Sequence, residues 1–149
     1  MKFQFIIIFV LGLIFSGCKK GENKPETAFQ EVYEMSEMAL LMEEMYNSLE
    51  KDKELVQKQK TLGAIPNEFH KIHTAEMTTS FERTEEFKGL ADLYLKNLHQ
   101  LYQTEIHDPN RVESFNNTVK ACITCHRSDA GCIGPVSRIG KLLIEVSPN

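Results

Sequence analysis

Positive charge is the scarcer sign in this chain: 17 Lys and Arg stand against 21 Asp and Glu, a formal net charge of −4. A phosphate-binding surface needs a basic patch, and here the basic residues are interleaved with acidic ones, which argues against nucleic acid as a partner. Strand signals are missing too. No stretch alternates apolar and polar residues with period two, so the sequence offers nothing from which to build a sheet. There is no internal repeat and no low-complexity block, and one domain suffices for 149 residues. No paired acid and base accompanies a nucleophile, so catalysis is not expected. Tryptophan is absent and cysteine is limited to four, yet 42% of the residues are hydrophobic. A chain of that size and composition buries a core without disulfide staples, so its cysteines need another purpose.

One cysteine is explained by what precedes it. Met1-Lys2 gives a short positive start, and Phe3 to Phe15 is apolar apart from Gln4 and Gly12. That run is short for a membrane span and has the length of a signal-peptide core. The sequence FSGC at 15–18, followed by Lys19 and Lys20, resembles a bacterial lipobox with Phe15 in place of the commoner leucine. The resemblance implies a lipoprotein signal peptide over 1–17, lipidation of Cys18, a lipidated polar linker over 18–26 and a domain over 27–149. Two or three acyl chains anchor stably, since each buried methylene contributes about 0.8 kcal/mol. The chain is then expected in the cell envelope, on the periplasmic side of the outer membrane or at the cell surface, where free thiols do not persist. After cleavage it carries 16 Lys and Arg against 21 Asp and Glu, a net charge of −5.

The remainder is patterned for helices. From Glu26 to about Lys60, Ala28, Val32, Met35, Met38, Met42, Met45 and Leu49 recur at gaps of three and four, which places them on one helical face. Gly63 and Pro66 end that helix. A second, shorter helix is expected from Phe69 to Met77. A third runs from Phe81 to Tyr102, with Phe87, Leu90, Tyr94, Leu98 and Leu101 in a stripe, and a fourth from Arg111 to about Arg127. The apolar tail, Val136 to Val146, is expected to pack back on them. The pattern predicts an all-α fold, an antiparallel four-helix bundle.

The last helix carries CITCH, residues 122–126, the C-x-x-C-H pattern of covalent c-type haem attachment. Cys122 and Cys125 lie three apart on one helix face, where their sulfurs can add to two vinyl groups on one edge of a porphyrin. His126 follows directly and supplies an imidazole to the iron. Two other chemistries use the same residues. Cys122, Cys125, His126 and Cys132 form a three-sulfur, one-nitrogen set that could bind zinc in a structural lipoprotein, although adjacent Cys125 and His126 point in different directions on a helix. A dithiol pair is the other, but thioredoxin-like motifs belong to a βαβ context that this chain lacks. With Cys18 acylated and two cysteines on haem, Cys132 is left over, either buried under the tail or available for intermolecular pairing.

No methionine lies downstream of His126, which excludes the class I cytochrome c arrangement. With the haem motif on the last helix, SFNNTVKACITCHRS at 114–128, and VYEMSEMALLMEEM at 32–45 on the first, the chain resembles the class II cytochromes c, the cytochrome c prime group and its low-spin relatives. That resemblance implies a monohaem four-helix bundle with haem attached on the last helix through Cys122, Cys125 and His126, and a first helix covering the other haem face. Setting Tyr33 on the family's tyrosine puts Met38 in the iron-facing position as candidate sixth ligand, with Glu34 where the family has arginine. Met35 and Met42 are alternatives, and His70, His73, His99 and His107 are candidates for a bis-histidine site. The resemblance further implies electron exchange with redox partner proteins, a membrane link through the lipid and a possible homodimer; a five-coordinate, gas-binding haem protein is the alternative. The tail beyond Ser128 exceeds the family pattern, and its GCIGP stretch could close over the haem edge near His126.

Overall fold

The computed structural model describes residues 34–129 and 135–146, all within one compact unit that begins at Glu34. Their regular structure is helical: α1 (Glu37–Gln57), a 3-10 helix (Asn67–His73), α2 (Glu85–Gln103), α3 (Arg111–Arg127) and a short α4 (Val136–Gly140), with no strand among the described residues. The all-α expectation holds for these residues. Among them, no helix is long and apolar enough to cross a membrane. The expected signal peptide, the linker with Cys18, Tyr33 and Cys132 lie outside the described residues.

The helix boundaries differ from the apolar periodicity wherever a cap intervenes. Met35 precedes α1, because the Ser36 side chain accepts a hydrogen bond from the Ala39 N–H at 3.2 Å and shares another, of 2.9 Å, with the Thr78 hydroxyl. A serine in that role satisfies one of the orphan donors of the first turn and so ends the helix on its N-terminal side. At the other end Gln59 takes a φ of 50°, the left-handed conformation that closes helices. The helix expected from Phe69 to Met77 is a 3-10 helix over Asn67–His73, and residues 74–77 lie outside it. Phe69 and Ile72, together with Ala75 just beyond it, are buried at a spacing of three, which suits three residues per turn rather than 3.6. Thr84 caps α2 by accepting from the Phe87 N–H at 3.1 Å, which leaves Phe81 in the preceding turn. α3 has the expected bounds.

The most extensive contact between elements is that of α2 with α3; α1 packs on α3 and on the 3-10 helix, and α4 on α3. One apolar cluster joins them, with Leu49 from α1, Leu98 and Leu101 from α2 and Phe115 and Val119 from α3 among its most deeply buried members. The core also encloses charge. Arg111 is buried and donates to the carbonyls of Ile106, at 3.1 Å, and Lys60, at 2.5 Å, tying two loops to the start of α3. Asp52 is buried on α1 and accepts a 2.8 Å hydrogen bond from the Tyr102 hydroxyl.

Burial raises the Asp52 carboxyl above its ordinary range, against the opposing effects of the Tyr102 hydrogen bond and the Arg111 charge. An acid whose pKa is raised by folding costs stability when it ionises. The cost is absent below the unfolded value of about 3.9 and develops as pH rises through the folded value. Asp52→Asn keeps an oxygen acceptor for Tyr102 and cannot ionise. Its stability relative to the wild type is therefore expected to improve from pH 3 to neutrality, as read by urea unfolding. A difference that stays flat across that window would refute the desolvation account.

Candidate functional site

The end of α3 turns Cys122, Cys125 and His126 toward a single cavity of about 340 Å³. The spacing explains why one helix can present all three: Cys125 is three residues and His126 four residues after Cys122, all within about one turn. The α1 methionines Met38, Met42 and Met45 line the same cavity, joined by Met35 just before the helix and Met77 from the chain between the 3-10 helix and α2. Met38 is 6% exposed, against 40% for Met35. Its N–H donates to the Glu76 carbonyl at 2.9 Å, and the next residue, Ala39, donates to the Ser36 cap. The remaining walls are aromatic and aliphatic, with Phe81, Phe87, Ile139 and Leu142 among them.

The chain has five histidines, all within the described residues, and His126 is the one that lines this cavity. His70, His99 and His107 are exposed, and His73 faces Asp92 at 3.1 Å. None of the four is brought to the α1 methionines.

The surroundings of Cys122 favour an uncharged sulfur. Burial, with the neighbouring Cys125 adding to it, pushes the Cys122 thiol up to about 12. Its sulfur lies 3.5 Å from the Thr118 carbonyl, the one acceptor offered it by the preceding turn. Nearby, burial also holds the Tyr94 phenol well above its ordinary range, with Cys122 contributing. A thiol so raised is protonated at neutral pH, and a zinc ion would deprotonate it on binding. A thioether carries no charge, so a sulfur bonded to carbon is at ease there. Among the described residues no group of three or more His, Cys, Asp and Glu side chains is placed to hold a metal ion. The proposed zinc set includes Cys132, which is outside them.

Cys122, Cys125 and His126 are the residues that could hold a covalently attached haem. The cavity volume lies within the ~300–1,000 Å³ of small-molecule sites, and such sites are mostly apolar with a few placed polar groups. The lining offers two sulfurs that could bond to a porphyrin edge, and an imidazole and soft thioethers that could bind its iron.

Arg138 and Glu43 close the rim. The guanidinium donates to both Glu43 carboxylate oxygens, at 2.5 and 2.9 Å, and lies over the Tyr46 ring, 3.9 Å from its centroid. The Arg138 hydrogen bond holds the Glu43 carboxyl below its ordinary range. Sequence patterning gave no hint of this pair or of Met77. Met77 has no periodic partner, and Arg138 meets Glu43 only because the tail returns across α1.

No family model, curated protein or solved structure matches the chain.

Proposed function

We propose that the chain is a lipid-anchored, monohaem electron-transfer protein related in architecture to the class II cytochromes c, a four-helix bundle with haem on its last long helix. The observation that carries this reading is the convergence of Cys122, Cys125 and His126 with the α1 methionines on one apolar cavity. In this reading Cys122 and Cys125 hold the group covalently, His126 is the proximal base, and Met38 is the favoured sixth donor because it is buried and its backbone is fixed. A bound haem supplies a one-electron couple. The protein's part is to keep that couple dry and to offer it a soft thioether, which favours the ferrous state. Redox partner proteins at the envelope are the proposed donors and acceptors, and Cys18 is the proposed lipid anchor.

The test is expression of the full chain with a c-type cytochrome maturation apparatus, followed by intact mass measurement and in-gel haem peroxidase staining. The wild type is expected to gain the mass of one haem and to stain after denaturation. Cys122→Ala/Cys125→Ala is expected to lose both signals completely. A wild-type chain whose mass is that of its amino acids and lipid alone sinks the proposal, and zinc in a colourless product would replace it with the structural reading.

A further inference from the structure

The tail does more than cover apolar surface. Residues 135–146 contribute Pro135, Arg138, Ile139 and Leu142 to the cavity wall, beside Cys125 and His126. Three polar ties hold the segment down, and they come from two different helices. On α1, Glu43 takes the Arg138 guanidinium in a two-pronged ion pair stacked on Tyr46. Also on α1, the Lys53 ammonium donates to the Lys141 carbonyl at 2.7 Å and the Leu143 carbonyl at 3.3 Å. On α3, Asn116 donates to the Ile144 carbonyl and accepts from the Ile144 N–H, both at 2.9 Å.

The segment is thus strapped from the first long helix to the last, across the wall of the cavity where the cysteines and His126 stand. Its own regular structure is one helix of five residues, too short to be stable alone, so its position depends on these ties and on burial of Ile139 and Leu142. The ties differ in strength. Asn116 is buried, whereas Arg138 and Glu43 are each nearly half exposed, and an exposed ion pair is weak and screened by salt. The strap therefore has a firm hinge end at Ile144 and a releasable end at Arg138.

We propose that residues 135–146 are a clasped strap that governs access of exogenous ligands to the methionine-lined cavity, with Arg138 as the latch. The proposal rests on the haem reading and sharpens it: the strap sets how readily an exogenous ligand reaches the site. Arg138 is a positioning residue, acting through the strap on the access path.

The experiment uses the full-length, haem-loaded protein with Met38→Leu as the common background, so that no Met38 thioether competes for the iron, and follows imidazole binding by stopped-flow absorbance, with hydrogen exchange of residues 136–146 measured alongside. Arg138→Ala and Glu43→Gln are expected to speed imidazole association about three- to tenfold, the effect of losing a weak ion pair and its ring contact. High salt is expected to speed the Met38→Leu parent similarly and to leave Arg138→Ala unchanged, because the screened interaction is already gone. Arg138 is a surface residue, so the variants keep the fold, which circular dichroism checks. If hydrogen exchange of the strap quickens while imidazole association does not, the segment is merely structural and the proposal fails. Equal exchange and equal association in all variants overturn it as well. If the wild type carries no haem, the haem reading fails separately. The strap is then judged by the uptake rate of anilinonaphthalene sulfonate, for which acceleration in Arg138→Ala supports it and equal rates overturn it.

Discussion

Phe115→Ala is expected to destabilise the domain by about 3–5 kcal/mol, the usual cost of truncating a fully buried aromatic side chain. Phe115 is 0% exposed and lies in α3, the helix that contacts α1, α2 and α4 alike. No neighbour can collapse into the space without moving a helix that three others pack on, so the cavity term adds to the lost transfer energy. With a urea m-value of ~1–3 kcal/mol/M, the unfolding midpoint should fall by at least about 1 M. Leu40→Ala is the control. Leu40 is as apolar but 52% exposed on α1, and its loss is expected to stay within about 0.5 kcal/mol. Comparable midpoints for the two variants would mean that α3 is not the centre of the core.

Met38→Leu is expected to convert the haem-loaded protein from low to high spin in both oxidation states and to lower its reduction potential on the order of 0.1 V, within the ~0.8 V that axial ligands span. The chemical reason is the loss of a soft thioether that prefers the reduced metal. Leucine conserves volume, so the fold should lose less than about 1.5 kcal/mol and the spectral change can be read on a folded protein. Met35, Met42, Met45 and Met77 line the same cavity and serve as internal controls. Their leucine variants are expected to leave the spin state unchanged, since their role is to fill space with a flexible, polarisable side chain. Conversion by Met42→Leu or Met45→Leu instead would move the sixth ligand along α1. A wild type that is high spin from the start, and shifts with carbon monoxide, would favour the gas-binding alternative.

Much of this site was legible in the sequence because its spacing is local. Cys122, Cys125 and His126 lie within five residues, and a helix alone decides that they share a neighbourhood. The methionine stripe of α1 was legible for the same reason, from gaps of three and four. The boundaries were less so. The periodic stripe runs through Met35, yet Ser36 caps the helix after it, because the capping hydroxyl finds a second partner in Thr78, 42 positions away. The segment 67–73 carried a helical signal whose type was set by burial at every third residue, a matter of what it packs against.

The sequence by itself determined where most of the helical segments lie and which sulfur and imidazole side chains they carry, since both depend on residues a turn apart. Tertiary structure alone decided which helices meet. It set the α1 methionines in one cavity with Cys122 and His126, left four histidines outside it and brought Arg138 back to Glu43, 95 residues away in the chain. The physical reason is range. A helix forms from hydrogen bonds four residues long, whereas a cavity wall is chosen by the burial of apolar faces whose partners no local pattern names.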